Sequence, residues 1–205
     1  MSDQPAPDVR LDGSDDGPVL ALAHGAGVGL DSPFMQAFAE GLGAAGVQVA
    51  RFEFPYMAQR RIDGKKRPPN PQGKLLANFR AAVDALGGPH RVAVGGKSMG
   101  GRMASLLAAE YEAAGTPVPA AVALGYPFHP PGKPENLRTE HLQTLATPTL
   151  ICQGERDPFG TRAEVEGYAL SAAIRLHWAP DGDHDLSPRK RSGHSQEANW
   201  QAAIA

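Results

Sequence analysis

The chain is nearly without cysteine: Cys152 is the only one in 205 residues. A single thiol excludes an intrachain disulfide and any cysteine-built metal site, and it fits a reducing, cytoplasmic setting. Long apolar runs are also missing. A membrane span needs roughly 18 consecutive apolar residues, and the longest run near the start is only residues 19–23. Neither sign of charge dominates, because 20 basic residues against 22 acidic ones leave a formal net charge of −2. That balance argues against nucleic acid held by a generally basic surface. The opening Met1-Ser2-Asp3-Gln4-Pro5 lacks the apolar core of a secretory signal. What the chain does have is 41% hydrophobic residues, with 24 glycines and 19 prolines. This is the composition of a loop-rich globular protein rather than a low-complexity one.

Short apolar segments at residues 19–23, 47–52, 91–94, 120–124, 149–152 and 174–178 read as buried parallel strands. Helical patterns alternate with them. Ser32 can cap a helix that starts at Pro33 and carries Phe34, Phe38 and Leu42 on one face. Leu75, Leu76, Phe79, Val83 and Leu86 form a second stripe, closed by Gly87-Gly88. A third runs from Ser98 through Met103, Leu106, Leu107 and Tyr111 to Gly115. Thr161 and Glu164 have capping-box spacing, and Ser195 can cap a last helix bearing Trp200 and Ile204. The alternation predicts one α/β domain over residues 18–205, a mostly parallel sheet of about six to seven strands with helices on both faces. Residues 1–17 are expected to be a tail with one edge strand near 9–11.

Ligands in such sheets bind beyond the carboxyl ends of the strands. After the segment 91–94 comes Gly95-Gly96-Lys97-Ser98-Met99-Gly100-Gly101, which contains one G-x-S-x-G from Gly96 to Gly100. With 24 glycines, chance alone gives about 0.1 such match per chain, so the string carries weight through its place between strand and helix. A plain glycine-rich turn with a capping serine is the bland alternative. Gly96-Lys97-Ser98 also ends a phosphate-binding loop, but that motif needs a glycine where Arg91 stands.

A serine hydroxyl needs a base, and the base needs an orienting group. Asp157 follows the segment 149–152 and His184 follows 174–178, in the order Ser, Asp, His. Glu155 is the alternative acid; His129 and His194 are the alternative bases. The N–H groups of Met99 and Ala26 are the candidate oxyanion donors, the second from the loop His24-Gly25-Ala26-Gly27. Candidate substrate contacts are His24, Gly25, Gly27, Tyr56, Arg60, Arg61 and His129. Arg60 and Arg61 share a stretch with Lys65, Lys66 and Arg67 that either holds an anionic group or is a solvated loop.

With these residues in place the chain resembles an α/β-hydrolase. More narrowly it is similar to the compact hydrolase-like family related to testis-expressed protein 30 and a subunit of a chromatin acetyltransferase complex. The strings that carry this likeness are His24-Gly25-Ala26-Gly27, Arg51-Phe52-Glu53-Phe54-Pro55-Tyr56-Met57, Gly96-Lys97-Ser98-Met99-Gly100-Gly101, Gly125-Tyr126-Pro127-Phe128-His129-Pro130-Pro131-Gly132-Lys133, Gln153-Gly154 with Asp157-Pro158-Phe159-Gly160, and Asp183-His184-Asp185. The resemblance implies a triad of Ser98, Asp157 and His184. Only 24 residues separate Leu124 from Thr149, too few for a lid domain. The expectation is a cytoplasmic carboxylesterase or thioesterase for a small soluble substrate, with no metal, cofactor, nucleic acid or membrane partner. The competing expectation is a non-catalytic interaction module on the same fold.

Overall fold

The strand Val19–Ala23 (β2) alternates leucine with alanine, and that alternation sorts the two faces of the sheet. In the computed structural model, which describes residues 6–205, Leu20 and Leu22 pack with Val49, Phe34, Met35 and Phe38. Ala21 and Ala23 face the larger cluster around Phe52, Phe79, Met103 and Leu107. Helices therefore cover both faces. On the leucine side lie α1 (Pro33–Ala44) and α6 (Gln196–Ile204), with Trp200 edge-on to Phe34 at 5.2 Å. On the alanine side lie α3 (Gln72–Ala85) and α4 (Met99–Ala113).

Among the described residues the sheet has seven strands. They are β1 (Val9–Asp12), β2, β3 (Gln48–Phe52), β4 (Val92–Lys97), β5 (Ala121–Leu124), β6 (Thr149–Gly154) and β7 (Ile174–Ala179), in the order β1-β3-β2-β4-β5-β6-β7. β1 runs antiparallel to β3 and every other pair is parallel. The edge strand β1 lies within residues 1–17, of which 1–5 fall outside the described residues. A buried ion pair ties it down: Arg51, on β3, reaches Asp12 through Nε and Nη2, both at 2.8 Å, and Leu30 O through Nη1 at 2.7 Å.

The structure departs from the sequence reading in two places. β4 and β6 run on to Lys97 and Gly154, because their glycines keep the parallel register with neighbouring strands. The stretch after β3, read as a loop, is largely the helix α2 (Pro55–Asp63). Pro55 opens α2, and Gly64, at φ +70°, closes it in the left-handed conformation that favours glycine. The connection from β5 to β6 holds one 3₁₀ turn, Glu140–Gln143, and no lid domain, and the one from β6 to β7 holds the short helix α5 (Arg162–Val165). Among the described residues, no helix is long and apolar enough to cross a membrane.

Candidate active site

Three parallel strands deliver three polar side chains to one place. Ser98 stands between β4 and α4 at φ +53° and ψ −116°, a conformation rare for a residue with a side chain. The strain is held by close packing. A Cβ on Gly96 would come within 2.5 Å of Gly100 C, and one on Gly100 within 2.4 Å of Ala23 O. The Ser98 N–H donates to Leu124 O at 2.9 Å, which fixes the turn to β5.

His184 follows β7, with Nε2 2.8 Å from Ser98 Oγ and Nδ1 2.8 Å from Asp157 Oδ2. Asp157 follows β6 and is fully buried. Gln153 Nε2 donates to its Oδ2 and the Phe159 N–H to its Oδ1, each at 2.9 Å. A carboxylate only accepts hydrogen bonds, so the His184 proton sits on Nδ1 and leaves Nε2 free to accept the Ser98 hydroxyl. The Phe159 ring covers the imidazole with centroids 4.2 Å apart. Glu155 is engaged elsewhere, with Arg162 at 3.0 Å and the Asp181 N–H at 2.9 Å. Neither His129 nor His194 reaches the serine by hydrogen bond: His194 is exposed, and His129 faces Pro130 O at 2.9 Å and Glu164 at 3.6 Å from within the fold.

The loop after β2 lies alongside. A Cβ on Gly25 would be 3.6 Å from Ser98 Cβ, while Ala26 and Gly27 are exposed. Met99 is the first residue of α4, so its N–H has no intrahelical acceptor and belongs to the positive end of the helix. His24 and Tyr56, expected as substrate contacts, hold this loop instead. His24 is fully buried, with Nδ1 2.6 Å from Gly25 O and Nε2 accepting from the Phe54 N–H at 3.1 Å. Burial lowers its pKa and keeps the ring neutral, so neither nitrogen is free for a ligand. The Tyr56 hydroxyl donates to Ala26 O at 2.9 Å, and burial raises its pKa to about 12.

An open cleft of about 370 Å³ adjoins the loop, lined by Gly27, Val28, Met57, Arg60 and Arg61 among others. The basic residues expected on a loop differ in their commitments. Arg61 pairs with Glu53 at 2.6 Å and Asp31 at 2.7 Å, and Arg67 pairs with Asp63. Among the described residues the Arg60 guanidinium reaches only the carbonyl of Gly27, at 3.3 Å. Cys152 is buried in β6, and burial pushes its thiol up to about 12, which removes it as a nucleophile near neutral pH. Among the described residues, no group of three or more His, Cys, Asp or Glu is arranged to hold a metal ion.

The sequence matches the family described as alpha/beta hydrolase domain over residues 16–205, and the chain belongs to that family. Among solved structures it is similar to dienelactone hydrolase from Anabaena variabilis. The two are 26% identical over 96% of this chain and 88% of that one, with a TM-score of 0.70. Est1E from Butyrivibrio proteoclasticus shares the fold at 17% identity, with a TM-score of 0.67 over 96% of this chain and 90% of that one. An alpha-beta serine hydrolase homologue from Coxiella burnetii does so at 14% identity, with a TM-score of 0.66 over 91% of each chain. No curated protein matches the chain. The family and these neighbours mark the protein as a hydrolase by fold.

Proposed function

We propose that the protein is a serine hydrolase of carboxylesterase or thioesterase type, acting on a small soluble ester in the cytoplasm. The observation that carries this reading is the unbroken chain from Ser98 Oγ through the His184 ring to buried Asp157, at 2.8 Å for each link. Ser98 Oγ attacks the carbonyl carbon while His184 Nε2 takes its proton. Asp157 holds the ring in the required tautomer and stabilises the imidazolium. The N–H groups of Met99 and Ala26 receive the developing oxyanion, the first aided by the α4 dipole. His184 then protonates the departing alkoxide or thiolate, leaving an acyl-serine. Water attacks this ester with His184 again as base, and the acid departs. These steps call on no metal or organic cofactor.

In this reading the part of the substrate remote from the ester extends into the cleft beside Gly27, whose lining includes neither Ser98 nor His184, with Arg60 facing an anionic portion and Arg61 already paired with Glu53 and Asp31. The narrower likeness to the compact hydrolase-like family rests on the sequence strings and leaves the substrate open. A p-nitrophenyl ester series from acetate to palmitate tests the reading. A covered pocket would gain about 0.8 kcal/mol per buried CH₂, raising kcat/KM several-fold per two carbons. Here the expected result is a preference for roughly two to four acyl carbons, flat or falling beyond, with no jump at an interface. Activity that climbs to long chains would overturn the open-site part of the proposal. No hydrolysis of any member by well-folded protein would return the chain to the interaction-module reading.

A further inference from the structure

Lys97 precedes Ser98 in the tight turn Gly96–Gly100, the elbow between β4 and α4, carries its only charged side chain, and has no part in the steps above. It is 5% exposed, although an ammonium is costly to remove from water without partners. Its partners converge on the histidine. Nζ donates to the main-chain carbonyl of His184, lies 3.2 Å from Asp185 Oδ1, and stands over the Phe34 ring of α1 at 5.1 Å. Gly125, at φ +66°, opens the slot: a Cβ there would be 2.6 Å from His184 O and 3.0 Å from Lys97 Nζ. The following carbonyls of the same turn are held from α6, Asp185 O by Trp200 Nε1 and Leu186 O by Asn199 Nδ2, both at 2.8 Å. His184 O is instead tied to the strand that carries the nucleophile.

We propose that Lys97 is a positioning residue: the hydrogen bond from its Nζ anchors the His184 main chain to the elbow and so holds Nε2 in register with Ser98 Oγ. Burial lowers the Lys97 pKa on balance, and Asp185, Asp157 and Asp183 oppose that fall. A backbone anchor one residue from the nucleophile ties His184 to β4 directly, beside the ties that its turn has to α6. Misplacement by about 1 Å is enough to cost roughly 100-fold in rate. The inference rests on the serine-hydrolase reading for its kinetic consequence, though not for its geometry.

The test compares wild type, Lys97→Met and Lys97→Arg by p-nitrophenyl acetate kinetics, thermal melting and the low-field NMR resonance of the imidazole N–H bonded to Asp157. Lys97→Met should melt cooperatively, lose roughly 10- to 100-fold in kcat with KM held within about twofold, and lose or broaden the resonance. Lys97→Arg, which keeps charge and donors, should recover most of both. Near-wild-type kcat and a sharp resonance in Lys97→Met would overturn the proposal, as would a loss no larger than the unfolded fraction. Should Lys97→Met fail to fold, Lys97→Gln takes its place, since it keeps a polar head while replacing Nζ with a shorter amide. A kcat lowered a few-fold with a broadened resonance supports the anchor, and no change in either overturns it. If wild type hydrolyses no ester, the serine-hydrolase reading fails, while the resonance still decides what Lys97 does.

Discussion

Gln153 Nε2 donates to Asp157 Oδ2 across 2.9 Å, and neither side chain has any exposed surface. Asp157 is thus met only by donors: this amide, the Phe159 N–H and the His184 ring. Asp157→Asn would turn an amide N–H toward one of them whichever way it flips, and leave a buried donor unpaired. Its kcat for p-nitrophenyl acetate is expected to fall about 10³- to 10⁴-fold, with KM little changed. A loss below tenfold would mean that Asp157 does not orient His184.

Ser98, Asp157 and His184 were legible because each follows a short apolar strand, and a parallel sheet brings such positions to one edge. The strands were legible from the same apolar runs. The helix α2 was not, because of its nine residues only Tyr56 and Met57 are buried, and Gln59, Arg60, Arg61 and Asp63 hide the helical period. Pro55 and Gly64 were the available signals. The supporting contacts lie further out of reach. Tyr56 meets Ala26 across 30 residues, and Lys97 meets His184 across 87. Such pairings exist only once the sheet order is set, and composition gave no sign that Arg61 would be neutralised by Glu53 and Asp31.

The glycines near Ser98 should differ sharply in tolerance. A Cβ at Gly100 would meet Ala23 O at 2.4 Å and His24 O at 2.7 Å, both backbone atoms that cannot step aside. Gly27, on the exposed side of the adjacent loop, has nothing within 4 Å of that position. Gly100→Ala should lower stability by about 1–3 kcal/mol, or prevent folding, while Gly27→Ala leaves Tm within about 2 °C. Equal melting temperatures for the two variants in a thermal scan would contradict the packing described for the elbow.

Stability should also fall on mild acidification, beginning above the range in which the carboxylates titrate. His141, whose Nε2 is 2.8 Å from Ser105 Oγ, is held at about 4 by burial and by Arg102, against an ordinary 6.5. Burial lowers His24 as well. Between these limits the unfolded chain binds protons that the folded chain refuses, so the contribution is whole above about 6.5 and lost as pH falls toward about 4. Asp181, held near 2 by Arg189, affects only more acid conditions. Tm measured from pH 7 to pH 4 should decline through this window, and His141→Gln should flatten the decline. A profile unchanged by His141→Gln would exclude His141 as a source.

The proposed chemistry makes Ser98 a nucleophile activated by His184. Reaction of the folded protein with a fluorophosphonate, followed by mass spectrometry of the digest, tests it most directly, because the probe needs an activated serine but no knowledge of the substrate. A single adduct is expected on the peptide containing Ser98, absent in Ser98→Ala and strongly slowed in His184→Ala. No adduct on well-folded protein, or an adduct that survives Ser98→Ala, would contradict it.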